Sequence, residues 1–237
     1  MRGVFVTGTG TGVGKTVVAA AIARTLAGSG ERVAVFKPAV SGLDDHPPGG
    51  VPPDHELLRI AARSTQSDDE IAPYRYGPPV SPHLGAELAG EEIQPRRLVD
   101  GARAAADPAD AVVCEGVGGF LVPLAPGYLV RDLARDLALP VVVAAAPGLG
   151  TINHTLLTLG AARTAGLEVV AVVLTPWPAE PSPVERSNRS TIERLGGVEV
   201  QILPKLDLGA PKTWPALDLV GTIGSPRRAV DNPRMSG

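Results

Sequence analysis

Val4-Phe5-Val6-Thr7-Gly8-Thr9-Gly10-Thr11-Gly12-Val13-Gly14-Lys15-Thr16 decides how this chain is read. Three apolar residues suited to a strand run into a turn with glycine at every second position. Lys15-Thr16 then opens an alanine-rich helical stretch. Strand, glycine-rich turn and helix, in that order, build a cradle for phosphate. Glycine lets backbone amides close around phosphate oxygens, and the free amides and dipole of a helix start favour an anion there. Lys15 is placed to reach terminal phosphates, and the Thr16 hydroxyl to ligate Mg2+. The spacing departs from G-x-x-x-x-G-K-[ST] at one place. Counting back from Gly14-Lys15 puts Thr9 at the first position, between Gly8 and Gly10.

Working outward, residues 17–27 are apolar on every side, as in a buried helix. Strands are expected at 32–36, 111–114, 140–146, 168–174 and 198–203. Helices are expected at 54–63, 84–89, 95–106, 129–137, 152–165 and 183–195. Residues 43–53 read as a mobile loop and 64–82 as irregular. Alternation of this kind predicts an α/β fold, a doubly wound and mostly parallel sheet, in one domain over 1–223. Residues 224–237 read as a frayed tail.

Composition agrees. Of 237 residues, 44% are hydrophobic but only 3% aromatic, so Val, Leu and Ala must form the core. A net charge of −3 gives no basic surface for nucleic acid. The lone Cys114 forms no internal disulfide and reads as packing. No apolar run suits a bilayer and no leader is visible, so the chain is expected in the cytoplasm.

Strand ends carry the remaining chemistry, because open α/β sheets bind ligands there. Lys37-Pro38 follow the second strand, and a second lysine beside the glycine turn suits phosphoryl transfer. Glu115 ends the third strand, where a carboxylate would hold Mg2+. Asp54 opens a helix, and metal ligand and helix N-cap are both open to it. Ser41 is a hydroxyl donor or a plain loop serine. Gly148 to Asn153 form a second glycine turn entering a helix, either an anion site or a connection capped by Thr151. His46, His55, His83 and His154 lack metal-ligand spacing.

The glycine turn through Thr16, Phe36-Lys37-Pro38 with Ser41-Gly42, Cys114-Glu115-Gly116-Val117-Gly118-Gly119, and Gly150-Thr151-Ile152-Asn153-His154 together resemble the dethiobiotin synthetases. The similarity runs from residue 1 to about 205 in the same order. It implies a P-loop NTPase-like, ATP-dependent cyclo-ligase of biotin synthesis, with 7,8-diaminononanoate and CO2 as substrates. A carbamate forms, takes the terminal phosphate as a mixed anhydride, and closes to a cyclic urea. By that resemblance Lys15, Lys37 and Thr11 act on the reacting groups. Thr16, Asp54 and Glu115 hold Mg2+. Gly12, Val13, Gly14, Lys15, Thr16, Val17, Gly116, Val117 and Gly118 hold the nucleotide, whose base meets Thr175, Pro176, Leu203, Pro204 and Lys205. Ser41 positions the amine end, and Gly150, Thr151, Ile152 and Asn153 of a second copy in a homodimer meet the substrate carboxylate.

Two departures stand out. Gly10 and Gly12 replace the acidic residues common in that family, and Thr175 replaces an asparagine that recognises the base. Relaxed nucleotide preference, with CTP or GTP serving, is therefore expected. Three other readings compete. A partitioning or cell-division ATPase, switching with a protein or membrane partner, would carry an added lysine near Thr9 and Gly10; no terminal amphipathic helix is visible either. A glutamine-dependent amidating synthase needs a further domain. A dinucleotide oxidoreductase meets G-x-G-x-x-G only loosely, because Val13 stands in its last position.

Overall fold

The computed structural model describes residues 1–45, 50–217, 219 and 223. Among these residues eight strands occur in chain order: β1 Gly3–Gly8, β2 Val33–Phe36, β3 Ala111–Glu115, β4 Pro123–Ala125, β5 Tyr128–Leu129, β6 Val141–Ala145, β7 Val169–Trp177 and β8 Val200–Pro204. The α-helices are α1 Lys15–Gly28, α2 Asp54–Ala62, α3 Asp68–Ile71, α4 Pro82–Ala89, α5 Pro95–Ala106, α6 Val130–Leu137, α7 Thr151–Thr164 and α8 Pro183–Gly196. Six strands form one parallel sheet in the order β2-β3-β1-β6-β7-β8. From β1 the chain runs to the edge strand β2, returns to lay β3 between them, and then crosses to the other side of β1 for β6, β7 and β8. Strand order therefore reverses at β1, and the crevice at its carboxyl end is where such sheets hold ligands.

Alternate residues of each strand face opposite sides, which divides the core in two. Phe5, Phe36, Val112, Cys114, Val143 and Leu174 pack on one side with Leu98, Leu133, Leu159 and Ile192 of α5, α6, α7 and α8. Val4, Val6, Val35, Val113, Val142 and Val173 pack on the other with α1 and α2. Val18 to Ala23 of α1 are all essentially buried, as its apolar circumference requires. Trp214, Leu217 and Leu219 join that second core, and the Leu217 amide donates to Thr25 Oγ1 at 3.2 Å.

The structure departs from the expected elements in four places. Residues 64–82 are not wholly irregular: α3 has a complete capping box between Ser67 and Glu70. After it, Val40 bridges Arg75, which extends the line of β2. A small antiparallel hairpin, β4 with β5, turns at Pro126 and Gly127. Asp54 is not an N-cap; Pro53 holds that position and Asp54 is the first helical residue. Nor does Thr151 cap α7, which starts from Gly150 in a left-handed conformation. The expected tail at 224–237 and His46 lie outside the described residues.

Candidate active site

At the carboxyl ends of β1, β2 and β3 a cavity of about 400 Å³ opens. Thr11, Gly12, Gly14, Lys15, Thr16, Val17, Lys37, Ser41, Asp54, Glu115, Val117 and Gly118 line it. Ala39, Val51, Pro52, Leu57 and Leu208 complete the wall. Sequence reading missed these five, since an apolar lining residue looks like any core or loop residue.

The glycine turn needs its glycines for different reasons. Gly12 and Gly14 have φ of 75° and 89°, the left-handed region that other residues avoid. A Cβ on Gly14 would also stand 2.5 Å from Thr175 Cγ2. A Cβ on Gly119 would stand 3.7 Å from Gly10 Cα, so the loop after β3 runs beside the turn after β1. Lys15 Nζ donates to Gly10 O at 2.8 Å and folds back along its own loop.

Lys37 sits at the centre of the charges. Its amide donates to Ile71 O at 2.8 Å, so the segment after β2 is held in place. Its ammonium contacts Glu115 Oε1 at 2.6 Å and Asp54 Oδ2 at 2.9 Å. The side chain is 3% exposed, and that of Glu115 is 0% exposed. Burial alone would lower the Lys37 pKa, but Asp54 and Glu115 outweigh it and hold the ammonium well above its ordinary range. Burial pushes Glu115 up, and Lys37 pulls against that shift. Burial also lowers Lys15, with the like charge of Lys37 adding to the effect. For Asp54 burial acts upward, yet Lys37 and Thr16 bring it below its usual range.

These groups fit a divalent ion. The Thr16 hydroxyl donates to Glu115 Oε1 at 2.9 Å, so two carboxylates and a hydroxyl converge. Glu115 Oε2 is buried without a hydrogen-bond partner, which is costly unless something meets it. Among the described residues no three His, Cys, Asp or Glu side chains gather to hold a metal. An ion here would take few protein oxygens and complete its shell with phosphate and water, the habit of Mg2+.

The other expected site residues lie elsewhere. Val13 and Gly116 flank the cavity within the two loops. Thr175 is inside β7 rather than after it, buried against Gly14. Leu203 is fully buried in the second core, while Pro204 and Lys205 are exposed. Gly150 and Asn153 are exposed at the start of α7, outside the cavity.

A parallel sheet reversing at β1, with lysine, hydroxyl and carboxylates around its glycine turn, defines a P-loop protein that handles nucleoside phosphates. The model of a family described as AAA domain matches residues 2–211. A solved complex of the cell-division proteins MinC and MinD from Aquifex aeolicus shares the fold, with a TM-score of 0.57 at 15% identity, covering 87% of this chain and 82% of that one. Two relatives are nearer in sequence. The ATP-dependent dethiobiotin synthetase BioD of Anaeromyxobacter dehalogenans is 46% identical over 195 residues, covering 82% of this chain and 86% of its own. That of Bacillus subtilis is 35% identical over 207 residues, covering 87% and 88%. The chain belongs to the dethiobiotin synthetase family.

Proposed function

We propose that this protein closes the ureido ring of dethiobiotin from 7,8-diaminononanoate and CO2 at the expense of ATP. One observation carries the proposal: Lys15, Lys37, Thr16, Asp54 and Glu115 meet in one cavity beside the glycine turn, in a chain 46% identical to a named dethiobiotin synthetase.

The chemistry must bring two anions together. One substrate amine adds to CO2 and loses a proton, giving a carbamate. A carbamate oxygen then attacks the terminal phosphorus, and the nucleoside diphosphate leaves. The second amine attacks the carbamoyl carbon, phosphate departs, and loss of a proton leaves the cyclic urea. Lys15 and Lys37 offset the negative charge where carbamate and phosphate meet. The Thr11 hydroxyl donates to the carbamate, and Ser41 orients the amine end. Amides of Gly12 to Val17 hold phosphate oxygens. Bound Mg2+, held by Thr16, Asp54 and Glu115, would screen the phosphates as a Lewis acid.

The substrate carboxylate is assigned to the free amides at Gly150, Thr151, Ile152 and Asn153. They lie off the cavity and are in part exposed, with Leu149 97% exposed beside them. That placement supports a homodimer in which one protomer's helix start closes the site of its partner. Sedimentation should give twice the chain mass, and a monomer at working concentration would remove the assignment. No helix among the described residues is long and apolar enough to cross a membrane; the compartment assigned is the cytoplasm, where the free, buried Cys114 would stay reduced.

Thr175, Pro176, Leu203, Pro204 and Lys205 are assigned to the base side. Thr175 packs against Gly14 and offers a single hydroxyl where an amide would present its donor and acceptor on two separate atoms in one plane. Base discrimination should therefore be weak. Turnover compared across ATP, GTP, CTP and UTP checks it, and strict ATP dependence refutes it.

The activity itself is tested by triphosphate consumption. It should require both the diamine and bicarbonate. Hydrolysis indifferent to both, but raised by a protein partner, would favour a nucleotide switch instead.

A further inference from the structure

An internal ammonium already sits between the two carboxylates of the cavity. Lys37 Nζ lies 2.9 Å from Asp54 Oδ2 and 2.6 Å from Glu115 Oε1, and Thr16 donates to that same Glu115 oxygen. These are the side chains assigned to Mg2+. One internal ammonium answers part of their negative charge, and Glu115 Oε2 keeps no partner. Mg2+ needs such oxygens at about 2.1 Å. A dication seated on them would lie within a few ångströms of the ammonium, and although Asp54 is 42% exposed, the burial of Lys37 and Glu115 limits how far water screens the repulsion. The metal and the ammonium in its present position therefore compete for the same two carboxylates.

We propose that Lys37 is a stand-in cation. It fills the divalent-ion position between Asp54 and Glu115 until Mg2+ arrives, and the ion then expels its ammonium into the cavity, toward the reacting groups. The proposal rests on the metal role assigned above to Asp54 and Glu115. The chain is built for such a swing. The backbone at Lys37 is anchored through Ile71, while four methylenes let the ammonium move without it. Gly116 O, 3.4 Å from Nζ, is a further acceptor within reach of the ammonium, and the cavity lies open beside it. The consequence is ordering. Lys37 cannot serve the anionic reactants until the ion has taken over its two carboxylates, so the full positive charge assembles only in the complete complex.

The experiment titrates Mn2+ alone into nucleotide-free protein at pH 8 and reads the bound ion by electron paramagnetic resonance. Wild type is compared with Lys37→Met, a neutral side chain of similar length. The variant should bind Mn2+ at least about tenfold more tightly, because no internal cation competes. A second substitution, Glu115→Gln, should abolish the gain. Equal or weaker binding by folded Lys37→Met overturns the proposal. Should that variant fail to fold, wild type decides the matter in a crystal grown with Mn2+ and ADP. The ion should then sit on Asp54 and Glu115 with Nζ more than about 4 Å from both. An ion there with Nζ still touching both carboxylates overturns the exchange and leaves the metal reading standing. An ion seated elsewhere overturns both.

Discussion

The two rims of the sheet differ in a way that separates a site from a hollow. At the amino end, Ala27, Gly30, Glu31, Arg32, Arg63, Gln66 and Pro108 are among the residues lining a cavity of about 510 Å³, larger than the 400 Å³ at the carboxyl end. Its polar groups are already answered. Arg32 pairs in solvent with Asp110. Gln66 is bound on both sides to the backbone of Val35. At the carboxyl rim three of the four charges are buried, Lys37 at 2% exposed, Lys15 at 7% and Glu115 at 0%, with Asp54 partly open. Glu115 keeps an oxygen with no partner. Volume is thus a poor guide, and desolvated charge with unmet valence is a better one.

The largest break in that contrast should come from Lys37→Ala. Losing a positive group that acts mainly on the transition state should cut kcat by roughly 100-fold to 1,000-fold. Nucleotide affinity should move far less. Equal losses in both, or none in either, would deny Lys37 its transition-state role. Arg32→Ala at the other rim should leave kcat unchanged. Next comes Glu115→Gln, which keeps the shape and removes a buried charge. The Mg2+ concentration for half-maximal activity should rise at least about tenfold, and an unchanged metal titration would take Glu115 out of the site.

A pair of glycines sharpens the comparison in stability rather than rate. Gly14 and Gly30 are both left-handed, with φ of 89° and 92°. Each should lose about 1–2 kcal/mol on substitution by alanine from backbone strain alone. A Cβ at Gly30 meets nothing within 4 Å, whereas at Gly14 it meets Thr175 Cγ2 at 2.5 Å. Denaturant unfolding should therefore rank Gly14→Ala below Gly30→Ala by a further ~1–3 kcal/mol. Thr175→Ser, which deletes that methyl, should recover part of the difference. No recovery would mean that the crowding has another source.

How much of this was legible depended on whether a feature is local. Runs such as Val141 to Ala145 and the glycine turn announce themselves within a few residues, so the parallel sheet was readable. Lys37 and Glu115 were readable because both follow apolar strands whose ends share one rim. Asp54 was half readable. Its place at a helix start is local, but its partner is Lys37, and only the packing of α2 beside β2 brings the two together. The capping alternative failed because Pro53 took that position. Thr175 was read as lying beyond its strand because Pro176 follows it. The pairing of β7 with β8 continues to Trp177 through a register shift, which carries Thr175 into the sheet behind Gly14. Two signals were present and passed over. Ser67-Asp68-Asp69-Glu70 is a capping box, and Pro126-Gly127 is a turn between short apolar stretches.

The smallest expected effect belongs to the amino rim. Arg32 bonds Asp110 through its side chain and its backbone, and those bonds lower the Asp110 carboxyl from 3.8 to about 2. A carboxylate whose folded pKa lies below its unfolded value stabilises the protein above the unfolded pKa. It loses that contribution as pH falls through the folded one. The stabilisation from Asp110 is therefore complete above about pH 4 and fades between 3.8 and about 2. Both groups are solvated, so screening keeps the contribution small. Asp110→Asn should shift the thermal midpoint at neutral pH by no more than about 2 °C. Added salt should shrink even that difference, and near pH 2 wild type and variant should melt together. A larger loss would mean that the amino rim also stores energy in its charges, and the division between the two rims would have to be redrawn.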